Sequence, residues 1–287
     1  MRRPFPFGDI LFAGILICIL LITLVPFIHI ISTSFSTAIG MKPGLRLWPY
    51  RATLASYQKV MKTSDTLTGI RNSLLRISIS VPVSVVVNAL AAYATSKNDM
   101  PGGKALRVFF MAAIYLSIGI IPMYMTMRAY HLVGTFWIYT LNITMPFYMI
   151  LMRNYMQGIS QSMEEAALLD GASYWQFFWK ILFPLSKPII ATVSLFSFFN
   201  SWNVYTDCLL YNASKPEHFT LAYVLYLQLS SASKNMAEKT TQLAITDTNT
   251  TTLRCALTCL TALPIMIIYP LAQKYLVTGI TIGSVKE

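Results

Sequence analysis

The sequence predicts an all-α, polytopic membrane protein with about six transmembrane helices. Three observations carry this. Hydrophobic residues make up 55% of the chain and charged residues only 11%, where a soluble domain carries about 25% charged residues. Mean hydropathy is +0.56. Apolar runs recur at lengths near the roughly 20 residues that a helix needs to cross a bilayer.

The first run, 9–33, follows Met1-Arg2-Arg3, as a signal peptide would. Its apolar stretch from Ile10 to Ile31 is longer than a signal core, and no A-x-A site follows, so it reads as an uncleaved anchor. The second, 70–96, is apolar but carries Asn72, Arg76, Asn88 and Tyr93. The third, 105–129, holds Tyr124 and Arg128, and the fourth, 134–156, holds Tyr139 and Asn142. The fifth, 188–210, holds Asn200, Asn203, Tyr205 and Asp207, and the sixth is 250–276. Two long polar connections, 35–68 and 211–248, link them; the second is rich in Ser, Thr and Asn and is expected to be partly ordered against a partner. No sequence repeat or low-complexity tract divides the chain, so 1–287 is expected to form a single transmembrane domain.

Between the fourth and fifth runs lies a polar, small-residue segment. Glu164, Glu165, Ala166 and Ala167 suit a first helical turn, where carboxylates offset the positive end of the helix dipole. Gly171 can adopt a backbone conformation closed to other residues and so stop that helix. Ala166, Ala167 and Ala172 leave a low-relief surface that another protein can approach closely. Residues 173–183 read as a second amphipathic helix, ended by Pro184 and Pro188. On a membrane protein such an element reads as a docking knob.

Polar side chains within spans are costly, and they face the protein interior or a water-filled path. Amide and aromatic groups such as Tyr139, Asn142, Asn200, Asn203 and Tyr205 would suit a sugar, offering hydrogen bonds to hydroxyls and a flat face to C–H groups. The competing reading is interhelical hydrogen bonding with interfacial tyrosines.

Other chemistry is excluded or unsupported. No G-x-x-x-x-G-K-[ST] loop is present to hold nucleotide phosphates, so the chain is not itself an ATPase. His29, His131 and His218 are isolated in sequence. Cys18, Cys208, Cys255 and Cys259 lie in or near apolar runs, and no histidine or carboxylate joins them in a zinc pattern; they read as small buried apolar residues. Glu164 and Glu165 are adjacent, so on a helix they point about 100° apart and do not share an active site. Basic residues are not interleaved with aromatics as nucleic-acid binding requires.

Residues Ile159 through Pro188 resemble the EAA loop of bacterial ABC importer permeases, in its carbohydrate-importer version. The pattern E-A-A-x-x-x-G is met by Glu165 to Gly171, followed by Ala172 and by Ile181-Leu182-Phe183-Pro184-Leu185. Ser160 departs from it, where relatives often have proline. Trp202-Asn203 resembles a W-N pair common in the following helix, and Leu276 to Lys286 resembles the glycine-containing tail of maltose-type permease subunits. The likeness thus spans nearly the whole chain. It implies an ABC importer permease fold with a cytoplasmic coupling loop at 157–187 and a cytoplasmic tail at 277–287. It also implies an inner-membrane location with both termini cytoplasmic. The implied partners are a second permease subunit in a heterodimer, two ATPase subunits that bind ATP and Mg, and an extracytoplasmic solute-binding protein. No cofactor is implied in this chain. Transport would proceed by alternating access. Glu164, Glu165, Ala166, Ala167, Asp170, Gly171 and Ala172 would couple it to the ATPases, and the tail 279–286 would contact them too.

With the loop placed in the cytoplasm, 10 of the 22 Lys and Arg lie inside and 12 outside, so positive charge does not set this orientation. The outer basic excess suits an anionic ligand, acidic surfaces on partner subunits, or simple solvation. Within the family the chain looks closest to oligosaccharide permeases of the polysaccharide-utilising type. Together with the outer charge this points to acidic uronate oligomers such as alginate fragments. Two other classes stay open: a secondary transporter working alone, and a polytopic membrane enzyme.

Overall fold

The computed structural model describes residues 7–39, 44–97, 100, 102–116, 118–141, 145–159, 161–235 and 248–282. Among them the regular structure is helical, with one isolated antiparallel bridge between Ser36 and Ala52. In chain order the helices are α1 (Phe7–Ser34), α2 (Ala55–Lys62), α3 (Ser64–Ser96), α4 (Gly103–Tyr115) and α5 (Ile120–Ala129). There follow α6 (Ile138–Leu141), α7 (Pro146–Gln157), α8 (Gln161–Leu169), α9 (Tyr174–Phe177), a π-helical turn (Phe178–Leu182) and α10 (Phe183–Leu185). The last are α11 (Lys187–Asn203), α12 (Thr206–Tyr211), a 3-10 turn (Pro216–His218), α13 (Leu221–Asn235) and α14 (Thr250–Ile282).

The chain groups into two compact units, Met1–Leu67 with Val224–Pro264 and Thr68–Tyr223 with Ile265–Glu287. In the first, α1 is apolar on every face and exposed over most of its length, as suits a helix solvated by lipid. Its last turn is anchored: Ser34 Oγ and Tyr57 Oη are 2.8 Å apart, the Phe35 and Tyr57 rings lie 5.0 Å apart, and Cys259 Sγ donates to Ser34 Oγ at 3.7 Å. Asn249 caps α14, accepting from the Thr252 N–H at 2.8 Å while its own N–H donates to Thr252 Oγ1. Arg254 Nε donates to the Gln228 carbonyl at 2.7 Å, tying α14 to α13. Cys18 lies on the exposed face of α1 rather than in a core, whereas Cys208 is buried as expected.

The second unit holds the core. Val85, Ala89 and Ala92 of α3 pack with Tyr148, Met149, Met152 and Met156 of α7, Ala167 of α8, Phe177 and Phe178, Leu182, and Ile189 and Val193 of α11. This cluster joins the segment between the fourth and fifth runs directly to the spanning helices.

Three helical stretches are long and apolar enough to cross a membrane, Leu11–Ser34, Ser64–Ser96 and Thr250–Leu271, among the described residues. The other three expected spans are built from shorter helices. The 105–129 run breaks between α4 and α5, where Gly119 takes a left-handed φ of +82° and Pro122 follows. The 134–156 run divides into α6 and α7; Met145 is extended and Pro146 opens α7, as a residue preceding proline dictates. The 188–210 run breaks after Asn203, and α12 restarts at Thr206. Nonhelical backbone at membrane depth is tolerated where protein covers it or a cavity lies beside it.

Candidate functional site

The residues between α7 and α11 form a helix, a glycine-closed turn and a second, bent helix. α8 ends in a Schellman motif: the Ala172 N–H bonds to the Ala167 carbonyl and the Gly171 N–H to the Leu168 carbonyl, both at 3.0 Å. Gly171 has φ +84°, which glycine adopts without strain. Ala167 and Ala172, the apolar pair that accompanies this motif, both pack on the core. Ser173 then opens α9 with a reciprocal capping box, its Oγ accepting from the Gln176 N–H at 3.2 Å and its N–H donating to Gln176 Oε1 at 2.9 Å. The second helix, expected over 173–183 and ended by Pro184 and Pro188, instead runs from Tyr174 through the π-helical turn and Pro184 to Leu185 and bends by 79° into α11, whose first turn holds Pro188; proline is tolerated in a first turn because its missing N–H has no helical partner there. Consecutive Phe177 and Phe178, where α9 passes into the π turn, are both buried.

α8 has two faces. Ala167 is buried and Glu164 turns inward with a side chain only 12% exposed. Glu164 Oε1 accepts from Tyr93 Oη at 3.3 Å, and Oε2 pairs with the Lys97 ammonium. Glu165, Ala166, Leu169, Asp170 and Gly171 face outward with Tyr174 and Trp175; Leu169 is 89% exposed. A helix-turn-helix that buries one face and displays Leu, Tyr and Trp on the other has a surface fit for a partner. The sequence pattern marks the alanines, glycine and carboxylates here but not Leu169, Tyr174 and Trp175. Their signal was apolar bulk beside a turn glycine.

A second constellation lies at the α11–α12 break. On α3 the residues Asn72, Arg76, Ser80, Ser84 and Asn88 recur every four positions, and all are buried. Asn72 Nδ2 donates to the carbonyls of Glu217 and Phe219 at 2.8 and 2.9 Å. Arg76 Nη2 meets Asp207 Oδ2 at 2.5 Å, its Nη1 reaches the Val204 carbonyl at 3.5 Å, and its guanidinium lies 5.1 Å from the Tyr139 ring centre. Ser80 Oγ and Ser201 Oγ are 3.1 Å apart, and Asn88 Nδ2 donates to the Ser84 carbonyl at 2.7 Å. The four-residue polar period inside an apolar helix was the signal for this ladder. Close approach above it depends on Gly69, where a Cβ would stand 3.1 Å from the Leu221 Cα and N.

The residues expected along a polar path separate here. Tyr139 is 1% exposed and donates from Oη to the His218 carbonyl at 2.7 Å, so it is packed behind Arg76. Asn72, Arg76 and Asp207 bind other parts of the chain, as the interhelical reading has it, whereas Asn88 bonds back to Ser84 within α3. Tyr124 stacks on Tyr211 with ring centres 5.9 Å apart. Asn200 is half-buried, while Asn203 and Tyr205 are exposed, flanking the break that Arg76 reaches through Val204. Asn142, Ser160 and the end of the tail from 283 lie outside the described residues. Among the described residues no group of three or more His, Cys, Asp or Glu is placed to hold a metal ion.

The sequence matches, over residues 53–282, the family described as "binding-protein-dependent transport system inner membrane component". It is 30% identical over 283 residues to the polygalacturonan/rhamnogalacturonan transport system permease protein YtcP of Bacillus subtilis, covering 97% of this chain and 98% of that one. It is 31% identical over 289 residues to the protein LplC of the same organism, covering 99% and 95% of the two chains. Among solved structures it is similar to a chain of a bacterial ABC transporter involved in the import of the acidic polysaccharide alginate. The TM-score is 0.83 at 26% identity, covering 96% of this chain and 99% of that one.

Proposed function

We infer the working role of this chain from its family: it belongs to the binding-protein-dependent transport system inner membrane components, and it is a permease subunit of an ABC importer for carbohydrates. Such a subunit is a transport component and not an enzyme, and it works with other permease, ATPase and binding-protein subunits. Beyond this, our reading is of a single transmembrane domain, 1–287, with both termini cytoplasmic. It pairs with a second permease in a heterodimer, carried on two ATPase subunits that bind ATP and Mg.

The observation that carries the coupling assignment is the two-faced α8 with its glycine-closed turn. The outward residues Glu165, Ala166, Asp170 and Gly171, with Leu169, Tyr174 and Trp175, enter an ATPase cleft; Ala167 and Ala172 seat the knob on the core. ATPase closure then displaces this knob, and the spans reorient between outward and inward access. Glu165→Lys should weaken ATPase copurification far more than Glu165→Gln. A partly buried ion contact costs roughly 3–5 kcal/mol when broken, an exposed one at most about 1. Equal recovery of ATPase subunits with both variants and the parent would remove Glu165 from the docking contact.

The substrate is an oligosaccharide carrying uronate carboxylates. The importers of galacturonan and alginate to which this chain is similar handle such polymers, and the outer excess of Lys and Arg attracts anions. Asn200, Asn203 and Tyr205 line the path on the fifth span, with Asn142 on the fourth and Tyr139 packed behind Arg76. Replacing Asn200 and Asn203 together by leucine should lower uptake about tenfold or more, since two lost hydrogen bonds amount to about 2 kcal/mol. Assembly and basal ATP hydrolysis should be unchanged. Normal uptake in a destabilised complex would instead make the pair interhelical cement.

A further inference from the structure

The end of α3 is held from three sides. Arg107 of α4 donates from Nη1 to the Thr95 and Lys97 carbonyls, both at 3.2 Å. Arg153 of α7 donates from Nε to the Thr95 carbonyl at 3.1 Å. Cations at a helix C-terminus satisfy its last carbonyls and oppose its dipole. The third side is α8. The Lys97 ammonium, 28% exposed, pairs with Glu164 and lies 4.9 Å from the Tyr93 ring centre and 6.0 Å from that of Phe177. Tyr93, one turn earlier on α3, donates to the other oxygen of Glu164. Its ring is 5.4 Å from Phe178 and 6.2 Å from Phe177, at the start of the π turn. A carboxylate gripped by Tyr93 of α3 and by Lys97 just past its end cannot shift without moving that helix or breaking the pair.

We propose that Lys97 and Tyr93 are positioning residues of the transport cycle: they fasten α8 to α3 through Glu164, so that displacement of the docking knob is delivered along α3. This rests on the reading of α8 as the ATPase-docking element, and it assigns Glu164 and Glu165 opposite duties. Glu165 faces the partner, and Glu164 faces the permease's own interior. α3 carries the motion to the Asn72–Asn88 ladder and, through Arg76 and Asp207, to the α11–α12 break.

The test uses the whole importer, with its partner subunits, in proteoliposomes. Lys97→Gln, Tyr93→Phe and the charge exchange Lys97→Glu with Glu164→Lys are compared with the parent. Copurified ATPase, basal hydrolysis and solute imported per ATP are read together. Lys97→Gln should keep its ATPase subunits and basal hydrolysis, and lose solute per ATP about tenfold, within the range for residues that carry coupling. Tyr93→Phe should lose less, and the charge exchange should recover most of the ratio. Retention of solute per ATP in Lys97→Gln overturns the proposal. So does loss of the ATPase subunits in that variant without recovery in the exchange, which would make Glu164 a contact to the partner. Failure of the docking reading itself shows separately, as a Glu165→Lys complex that still holds its ATPases.

Discussion

Gly171→Pro should leave the permease inserted and folded in its spans, yet abolish ATP-driven uptake. The substitution removes the N–H that bonds to the Leu168 carbonyl and fixes φ near −65°, whereas Gly171 sits at +84°. Both closing bonds of the Schellman turn are lost, and the chain cannot pass from α8 into the Ser173 cap. The site has room: no atom lies within 4 Å of a Cβ added at Gly171. The effect is therefore one of backbone conformation rather than crowding. Gly171→Ala separates the two, since it keeps the N–H and costs only the roughly 1–2 kcal/mol of a left-handed alanine. Uptake and ATPase copurification should fall in the order glycine, alanine, proline. Substrate-stimulated hydrolysis equal to the parent in the proline variant would remove the turn from the mechanism.

Arg76→Met should be the most destabilising single change in the spans. The Arg76 side chain is 3% exposed and that of Asp207 17%. Removing one member of such a pair leaves a buried charge without its partner, at about 3–5 kcal/mol. The change also strips the Val204 carbonyl and the face of Tyr139 of their cation. Asp207→Asn should cost less, because the amide keeps a hydrogen-bond acceptor for the guanidinium. The double variant Arg76→Met with Asp207→Leu should recover much of the loss, since replacing a buried pair by apolar groups is often neutral or better. Thermal unfolding of the complex in detergent measures these three and the single Asp207→Leu variant that completes the cycle. Additive losses in the double variant would show that the two residues act independently.

Much of this arrangement was legible in the chain because it is local. The EAA segment could be read as helix, glycine and helix because capping, φ and small-residue relief are fixed within a few residues of one another. The first, second and last long helices follow from unbroken apolar length. The breaks at Gly119 and Met145 were not legible as such, because an apolar run interrupted by one glycine or proline has the composition of a continuous span, and the break at Val204 has neither residue to mark it. Nor could the partners of the polar residues be seen. Arg76 meets Asp207 across 131 positions, and Asn72 meets Phe219 across 147. A charge within a span signals a partner or a path, and periodicity alone does not say which. Glu164 and Glu165 illustrate the same limit. Their 100° separation on a helix rules out a shared site, but only the packing of α8 on Tyr93 and Lys97 tells which one faces inward.

The most direct test of this account is import by the reconstituted complex, with its second permease, ATPase subunits and solute-binding protein. Proteoliposomes would be loaded with ATP and Mg or left empty, and supplied outside with binding protein and either uronate or neutral oligosaccharides. Uptake should occur only with internal ATP, should favour the uronate oligomers, and should be lost with Glu165→Lys. Uptake that proceeds equally without ATP, or that is indifferent to Glu165, would contradict this account.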